Sequence, residues 1–313
     1  MRGISRPVHH NGTHAGSVQS VSCLIAAVAA KIWPASAPPP RPAVATGGQA
    51  APYDLHVLDE RTVTLAGGVD VPTVGLGTWQ LRGGPAYEAA RYALQAGYRH
   101  IDTATMYRNE AEIGRALRDS GVPRKDVFLT TKLPPSRAGR ARATLTESLR
   151  ALGTEHVDLW LVHWPPGGRA DPETWGQFLA ARRDGLARTV GVSNYTTGQI
   201  DELVRATGEA PAINQVPWSP ADHDPVMLAE SRDRGVVVEG YSPLKRTNLR
   251  SRVLAGIAEA HGVTPAQVVL RWHLQHGIVV IPKSARPERI AANLDLFGFS
   301  LSADEVAMID GLR

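Results

Sequence analysis

The feature of this chain that most constrains its fold is a regular alternation of strand-like and helix-like segments from residue 73 onwards. Short runs rich in Val, Ile, Leu and Thr are separated by amphipathic runs whose apolar residues recur at helical spacing. Eight such repeats predict an α/β fold, a closed (β/α)8 TIM barrel of parallel strands. The predicted strands are Thr73–Trp79, His100–Thr103, Val127–Lys132, Val157–His163, Arg188–Ser193, Ala212–Val216, Val236–Tyr241 and Ile278–Pro282.

The helices predicted between these strands support the same architecture. Many of them end at a glycine, the residue that most easily takes the left-handed conformation past a helix end. These glycines are Gly97, Gly121, Gly153, Gly208, Gly235 and Gly262. The clearest helical runs are Ala86–Ala96, Glu110–Ser120, Ala141–Leu152 and Thr197–Thr207.

An open, doubly wound sheet is the competing architecture. If such a sheet bound a dinucleotide, its first strand would normally be followed by a Gly-x-Gly-x-x-Gly loop. Gly75-Leu76-Gly77 begins this pattern, but Gln80 occupies the third glycine position. The motif is therefore incomplete, and the closed barrel is favoured.

The chain before the barrel divides into a hairpin and a leading segment of unusual composition. Thr62–Leu65 and Val69–Val71 flank a Gly-Gly turn and predict a short β-hairpin. Residues 1–52 are rich in Ala, Ser, Gly and Pro and contain no Asp or Glu, which predicts a disordered extension. We expect one (β/α)8 barrel domain over residues 53–313. An export signal and a mis-assigned start codon are the alternatives for the leading segment.

Charge and cysteine content exclude several classes of function. The leading segment holds four of the 34 Lys and Arg residues of the chain. The remaining 30 basic residues equal the 30 Asp and Glu residues in number. The body is therefore formally neutral and offers no evidence of a nucleic-acid surface.

The single cysteine, Cys23, excludes a disulfide framework and a cysteine metal cluster, so we expect no metal. The apolar run Cys23–Ala30 is too short to span a bilayer, and we expect a cytoplasmic monomer without a membrane partner.

Polar side chains lie at or just past the ends of three consecutive predicted strands. Asp102 ends the second strand and Tyr107 follows it, Lys132 ends the third, and His163 ends the fourth. Each residue alone has an ordinary structural explanation, as a helix cap, a solvated lysine or a core histidine. In a TIM barrel the chemistry lies at the carboxyl ends of the strands, so their joint occurrence favours an active site.

The chemistry of these four groups suggests how they would work together. A Lys132 ammonium would lower the pKa of the Tyr107 phenol, and Asp102 would balance and hold the lysine. Tyr107 would then protonate a developing alkoxide, while His163 orients or polarises the carbonyl oxygen. Because an alkoxide forms when hydride adds to a carbonyl, this set implies a hydride donor.

Three segments together resemble the aldo-keto reductase family, and the match extends from about Thr62 to the C-terminus. They are Gly97–Glu110, Leu161-Val162-His163-Trp164-Pro165 and Ile281-Pro282-Lys283-Ser284. The resemblance implies an NADPH-dependent reductase with a Tyr107, Lys132, Asp102 and His163 tetrad. Family members that reduce carbon–carbon double bonds in steroids have Glu at the histidine position, so His163 favours carbonyl reduction.

The same resemblance implies a cofactor site along the barrel rim. Ser193, Asn194 and Gln215 would bind the nicotinamide carboxamide, and Tyr241 would stack on its ring beside Ser242 and Leu244. Lys283, Ser284 and Arg289 would bind the 2′-phosphate of NADPH, and Asn293 would contact the adenine. Two departures from the family pattern are Ala292, where Glu is frequent, and the segment Pro217-Trp218-Ser219-Pro220.

The substrate pocket is expected to have apolar walls. Trp79 and Trp164 would line it, whereas Trp218 could line it or pack beneath the loop. The chain ends soon after the helix predicted near Ser302–Leu312, which resembles the bacterial diketogluconate-reductase-like branch with an open pocket. We expect aldehyde or ketone substrates, with sugar-derived carbonyl compounds among the candidates. Two alternatives remain: a nucleotide-sensing interaction module with little turnover, and a Schiff-base aldolase that uses Lys132.

Overall fold

In a computed structural model that describes residues 61–312, the chain forms a closed parallel barrel preceded by a hairpin. The hairpin strands β1 (Thr62–Thr64) and β2 (Asp70–Pro72) pair antiparallel. The barrel strands pair in chain order, each parallel to the next. They are β3 (Leu76–Gly77), β4 (His100–Asp102), β5 (Phe128–Leu133), β6 (Val157–Val162), β7 (Ala187–Ser193), β8 (Ile213–Pro217), β9 (Val237–Tyr241) and β10 (Val279–Val280).

The barrel closes where its first and last strands meet. Val74 and Val280 form a parallel bridge, and the Gly75 amide donates to the Val280 carbonyl at 2.9 Å. The predicted (β/α)8 TIM barrel is confirmed. The two strands at this seam, β3 and β10, are shorter than predicted because few ladder hydrogen bonds join them. After β3 the chain also turns at Gln80, which has a φ of 64°.

The helices surround the sheet and begin and end close to the predicted residues. The helices predicted at Ala141–Leu152 and Thr197–Thr207 are found with these bounds, and each is followed by a glycine in the left-handed conformation, Gly153 or Gly208. The ten helices of the described residues are α1 (Gly84–Gln95), α2 (Glu110–Asp119), α3 (Ala141–Leu152), α4 (Pro172–Arg183), α5 (Thr197–Thr207), α6 (Pro225–Asp233), α7 (Arg252–His261), α8 (Pro265–Gln275), α9 (Pro287–Leu294) and α10 (Ala303–Asp310). Short 3₁₀ turns cover Thr105–Tyr107, Arg124–Asp126, Pro135–Arg140, Pro166–Gly168 and Pro220–Asp222.

The hairpin closes one end of the barrel and leaves the other end for the site. Leu65, Val69 and Val71 of the hairpin join the apolar side chains inside the barrel in one buried cluster. The barrel residues of that cluster are Phe128, Leu159, Leu161, Ala212, Ile213 and Val279. Water is thereby excluded from the amino ends of the strands, and the polar side chains gather at the carboxyl ends.

The C-terminal helix is tied to α8 by a hydrogen-bonded network. The Asp310 carboxylate accepts from Trp272 Nε1 at 2.7 Å and lies 3.0 Å from His276 Nε2. Trp218 is fully buried in the same region and packs with Val268 and Trp272 in one cluster. The alternative that Trp218 lines the substrate pocket is therefore wrong, and its role is packing.

The predictions for residues 1–52, including the disordered extension and its alternatives, lie outside the described residues. Within residues 61–312, no single helix has the length and hydropathy needed to cross a bilayer. Helices α7 and α8 pass such a test only as a pair, and that pair is bent by 87°.

Close packing between α2 and α3 gives a test of the fold. A Cβ added at Gly114 would lie 2.5 Å from the Leu152 carbonyl oxygen and 2.8 Å from that of Ala151. Because backbone atoms cannot move aside cheaply, we expect Gly114→Ala to lower the free energy of unfolding by about 1–3 kcal/mol. Urea denaturation measures this change.

Gly176→Ala is the matched control for that measurement. Gly176 also lies within a helix, but among the described residues no atom outside its chain neighbours and its own helix backbone lies within 4 Å of an added Cβ. Alanine there should stabilise the helix by roughly 0.5–1 kcal/mol. Equal effects of the two substitutions would contradict the described approach of α2 to α3.

Candidate active site

A buried ion pair occupies the centre of the barrel mouth. Strands β4 and β5 are neighbours, so the parallel register brings Asp102 and Lys132 to the same end of the sheet. Lys132 Nζ donates to both Asp102 carboxylate oxygens at 2.6 Å and to the Thr103 carbonyl at 3.0 Å. Both side chains are almost wholly removed from solvent. Three acceptors around one ammonium compensate for much of its lost hydration.

Tyr107 reaches the ion pair from the 3₁₀ turn that follows β4. Its hydroxyl lies 3.3 Å from Lys132 Nζ, within hydrogen-bond distance. The turn is fixed to β5 because Thr105 Oγ1 donates to the Lys132 carbonyl at 2.9 Å. Asn109, which is fully buried, donates to the carbonyl oxygens of Thr78 and Leu81 and holds the other side of the loop. The phenol position is therefore determined by two strands and a loop.

The position of His163 completes the group of four predicted catalytic side chains. It follows β6, and its ring centroid lies 5.6 Å from that of Tyr107. Its Nδ1 atom is buried and has no hydrogen-bond partner among the described residues. Burial, together with the Lys132 charge, lowers the pKa of His163 to about 3, so the ring is neutral at physiological pH.

The acidity of Tyr107 differs from the sequence-based expectation. Burial is the largest influence and raises the pKa of Tyr107, while the charge and hydrogen bond of Lys132 lower it by less. The expected lowering by Lys132 is therefore present, but burial outweighs it and the net pKa lies above its ordinary value. At Lys132 the neighbouring groups outweigh burial. Burial lowers the pKa of Lys132, but Asp102, Tyr107 and Glu239 together raise it above the ordinary value.

The four side chains lie at or beneath an open cleft of about 560 Å³. Trp79 and Trp164, each about half exposed, stand on its wall, and the Trp79 ring meets the Tyr107 ring edge to face at 5.0 Å. Apolar walls around a few convergent polar groups are typical of a small-molecule site. Other predicted site residues that line the cleft are Ser193, Asn194, Gln215, Tyr241, Ser242, Leu244 and Lys283.

The polar rim at β7, β8 and β9 is joined by hydrogen bonds. Ser193 Oγ donates to the Gln215 carbonyl at 2.7 Å, and Asn194 Nδ2 donates to Ser193 Oγ at 2.9 Å. Asn194 Nδ2 also donates to the His163 carbonyl, and its Oδ1 accepts from the Tyr241 hydroxyl at 2.9 Å. The rim therefore presents amide and hydroxyl groups in fixed positions, suited to a ligand that both donates and accepts.

The remaining predicted cofactor residues lie at the corner after β10. Lys283 is exposed at the edge of the cleft, and Arg289 is exposed on the first turn of α9. Ser284 is buried, and its hydroxyl accepts from the Arg286 amide at 3.0 Å. Asn293 is buried near the end of α9. Ser284, Arg289 and Asn293 are not among the residues that line the cleft.

Two buried titratable groups beneath the site were missed by the sequence reasoning. Glu239 lies fully buried in β9, where Gln215 Nε2 donates to its Oε2 at 2.9 Å. His100 is fully buried in β4, and its Nε2 lies 3.5 Å from Glu239 Oε1. The sequence does contain a feature that could have identified Glu239 as a site residue. It is an acid inside the apolar run Val236–Tyr241, and it lies two residues before Tyr241, on the same face of the strand.

The geometry agrees with comparisons to known proteins. The family model described as the aldo/keto reductase family matches residues 73–313. A 2,5-diketo-D-gluconic acid reductase B from Corynebacterium sp. is 43% identical over 257 residues, which cover 80% of this chain and 93% of the relative. Morphine 6-dehydrogenase from Pseudomonas putida is 41% identical over 267 residues, covering 80% and 90% of the two chains. The crystal structure of a Bombyx mori aldo-keto reductase in complex with NADP has a TM-score of 0.75, with 33% identity and coverage of 80% and 92%.

The central ion pair makes a testable contribution to stability. Lys132→Met leaves the Asp102 carboxylate buried without its cation, so we expect a loss of about 3–5 kcal/mol in the free energy of unfolding. In an Asp102→Asn background the same substitution should cost much less, because no uncompensated charge remains. A double-mutant cycle measured by urea denaturation gives the coupling between them.

The exposed pair Arg137–Glu147 serves as the control cycle. Its coupling should be about 1 kcal/mol or less, since both partners are solvated. If the effects at Lys132 and Asp102 were additive, the pair would not be the interaction that holds the site together.

Proposed function

The chain belongs to the aldo/keto reductase family, whose members are nicotinamide-dependent oxidoreductases, and we propose that it reduces aldehydes or ketones to alcohols with NADPH. Tyr107 is the proposed general acid. The observation that carries this proposal is the Tyr107 hydroxyl at 3.3 Å from a buried, ion-paired Lys132, next to a neutral His163 at an open cleft.

The residues present fit a nicotinamide cofactor. Ser193, Asn194 and Gln215 offer hydroxyl and amide groups at the rim, which match the donor and acceptor of a carboxamide. Tyr241 is half-buried beside them and presents a ring on which nicotinamide would stack. When bound, the cofactor supplies the hydride that adds to the carbonyl carbon.

The 2′-phosphate of NADPH is assigned to the corner after β10. Helix α9 begins there with Pro287, and no side chain of the described residues caps its first turn, so its positive dipole end is open to an anion. Lys283 and Arg289 are exposed at the same corner and bring two positive charges. Asn293, further along α9, is the proposed adenine contact.

Three side chains take part in the proposed proton transfer: Tyr107 donates the proton, and Lys132 and Asp102 support it. Tyr107 is firmly protonated at neutral pH because burial raises its pKa, and it hands this proton to the oxygen as negative charge develops there. Lys132 stabilises the resulting phenolate, and Asp102 keeps Lys132 in place. An alkoxide is a much stronger base than a phenolate, so the transfer is favourable even from a phenol of raised pKa.

His163 is proposed to donate a hydrogen bond to the substrate oxygen. Its buried Nδ1 has no hydrogen-bond partner within residues 61–312, and an unpaired buried N–H is avoided more strongly than an unpaired lone pair. The proton of the neutral ring is therefore assigned to Nε2. A neutral donor orients the carbonyl without adding a second positive charge beside Lys132.

The proposed substrates are carbonyl compounds that fit an apolar cleft. Trp79 and Trp164 form the wall, and both stand on loops that vary most readily within a barrel family. Relatives of similar identity are named for a diketo sugar acid and for morphine, so overall similarity does not choose between sugar-derived and larger apolar substrates.

Lys132 is poorly suited to the alternative role of Schiff-base nucleophile. A nucleophilic lysine must be neutral and reachable, whereas Lys132 is fully buried, bound to three acceptors and of raised pKa. No observation favours a nucleotide-sensing module without turnover over a reductase.

Removal of the Tyr107 hydroxyl tests the proposed acid. We expect Tyr107→Phe to lower kcat/KM for carbonyl reduction by about 10²–10⁴-fold, the usual contribution of a positioned acid. The Kd for NADPH, measured by protein fluorescence, should remain within about twofold, because the phenol is not a cofactor contact. Tyr87→Phe on α1 is the control, and a near wild-type rate for Tyr107→Phe would rule out the assignment.

Loss of one positive charge tests the phosphate site. We expect Arg289→Ala to raise the Kd for NADPH by roughly tenfold and that for NADH by less than about twofold, since only NADPH carries the 2′-phosphate. Arg183→Ala, at the end of α4 and so at the opposite end of the barrel, controls for net charge. Parallel losses for both cofactors would argue against the assignment.

A further inference from the structure

Glu239 is a buried acid that the proposed reaction does not use. It lies inside the barrel on β9 with no exposed surface. Its Oε2 accepts from Gln215 Nε2 at 2.9 Å, and its Oε1 faces His100 Nε2 at 3.5 Å. A carboxyl group buried at this depth is expensive unless its hydrogen bonds serve the surrounding structure.

The Gln215 amide is held at both of its N–H groups. Nε2 donates to Asp102 Oδ2 at 2.9 Å and to Glu239 Oε2 at 2.9 Å. Asp102 is ion-paired with Lys132 and can only accept, so the amide nitrogen must point towards the carboxyl groups. Because Gln215 also lines the cleft, the group left for a ligand is its carbonyl oxygen, an acceptor.

The groups that face Glu239 explain how two acids can share one amide. Burial lowers the pKa of His100 to about 4, and its Nδ1 lies 3.2 Å from the Pro72 carbonyl, which leaves Nε2 as an acceptor, 3.3 Å from the Thr130 hydroxyl. Burial, together with the Asp102 charge and against the opposing influence of Lys132, raises the pKa of Glu239 to about 8. Glu239 therefore accepts from Gln215 at Oε2, while its Oε1, 3.5 Å from His100 Nε2, has no hydrogen-bond partner among the described residues.

We propose that Glu239 is a positioning residue that holds the Gln215 carbonyl oxygen towards the cleft, where it accepts the carboxamide N–H of the nicotinamide ring. This inference rests on the proposed function, because it names the part of the cofactor that the rim selects. Glu239 touches neither substrate nor cofactor and acts only through Gln215.

A fixed acceptor makes the site selective between cofactor analogues. In the 3-acetylpyridine analogue of NADPH, a methyl group replaces the carboxamide nitrogen, so the ring keeps a carbonyl and loses its donor. The Gln215 oxygen would then face a methyl group and remain unpaired. If the Gln215 amide is free to turn, that penalty decreases, because the amide can move its oxygen away from the methyl group.

The test compares the Kd of NADPH with that of its reduced 3-acetylpyridine analogue, measured by quenching of protein fluorescence. Wild type should prefer NADPH by roughly tenfold. Glu239→Leu, which removes the acceptor, and Glu239→Asp, which withdraws it by one methylene, should each reduce that preference by about threefold or more. Glu239→Gln should retain it, because its amide oxygen can accept from Gln215 and its N–H can face His100.

The outcomes separate this inference from the proposed function. Circular dichroism and thermal unfolding identify the folded variants, and Glu239→Asp with Glu239→Gln decide the matter if the leucine variant does not fold. An unchanged preference in Glu239→Asp overturns the inference alone, as does an equal loss in Glu239→Gln, which would indicate a requirement for the acid itself. Failure of wild type to bind NADPH would overturn the proposed function and this inference with it.

Discussion

The buried contact between Lys132 and Asp102 is the interaction on which the rest of the site depends. Two opposite charges in a dry barrel are stable only when further hydrogen bonds satisfy them, and here Thr103, Tyr107 and Gln215 supply those bonds. Each of these partners is thereby fixed as well. The ion pair does not simply activate a phenol; it also determines the position of the phenol and the orientation of an amide at the rim.

The dry interior also determines which of these groups carry charge. The hairpin excludes water from the amino end of the barrel, and burial keeps His100, His163, Glu239 and Tyr107 in their neutral forms at neutral pH. Only Lys132 and Asp102 are then ionised, and together they are neutral. Negative charge that develops on a substrate oxygen would therefore meet a neutral site with an ammonium and a protonated phenol close by. When the phenol gives up its proton, that negative charge moves to the Tyr107 oxygen, which lies 3.3 Å from the Lys132 ammonium.

Much of this arrangement could be predicted from the sequence, and the failures have physical causes. The strands and their order followed from periodicity, and the meeting of Asp102, Lys132 and His163 followed from the rule that parallel strands share a carboxyl edge. The net pKa of Tyr107 could not be predicted, because the degree of burial depends on side chains from distant segments such as Trp79. The strands at the seam were predicted too long, since closure of the barrel determines how many ladder bonds Leu76–Gly77 and Val279–Val280 can form. Glu239 was missed because a single acid in a strand has no partner that can be recognised in the sequence.

The side chains that line the cleft stand on two different kinds of structure. The groups proposed to hold the nicotinamide, Ser193 and Gln215, belong to β7 and β8 and are held by hydrogen bonds to the backbone or to buried carboxyl groups. The groups proposed to contact the substrate, Trp79 and Trp164, stand on loops and remain about half exposed. Gln215 on the packed sheet is bonded directly to Asp102 of the ion pair, whereas the loop residue Trp79 contacts the Tyr107 ring and so reaches the ion pair through that phenol. We therefore expect recognition of the proposed cofactor to be stricter than recognition of the substrate, because the barrel places the two sets of residues on different kinds of structure.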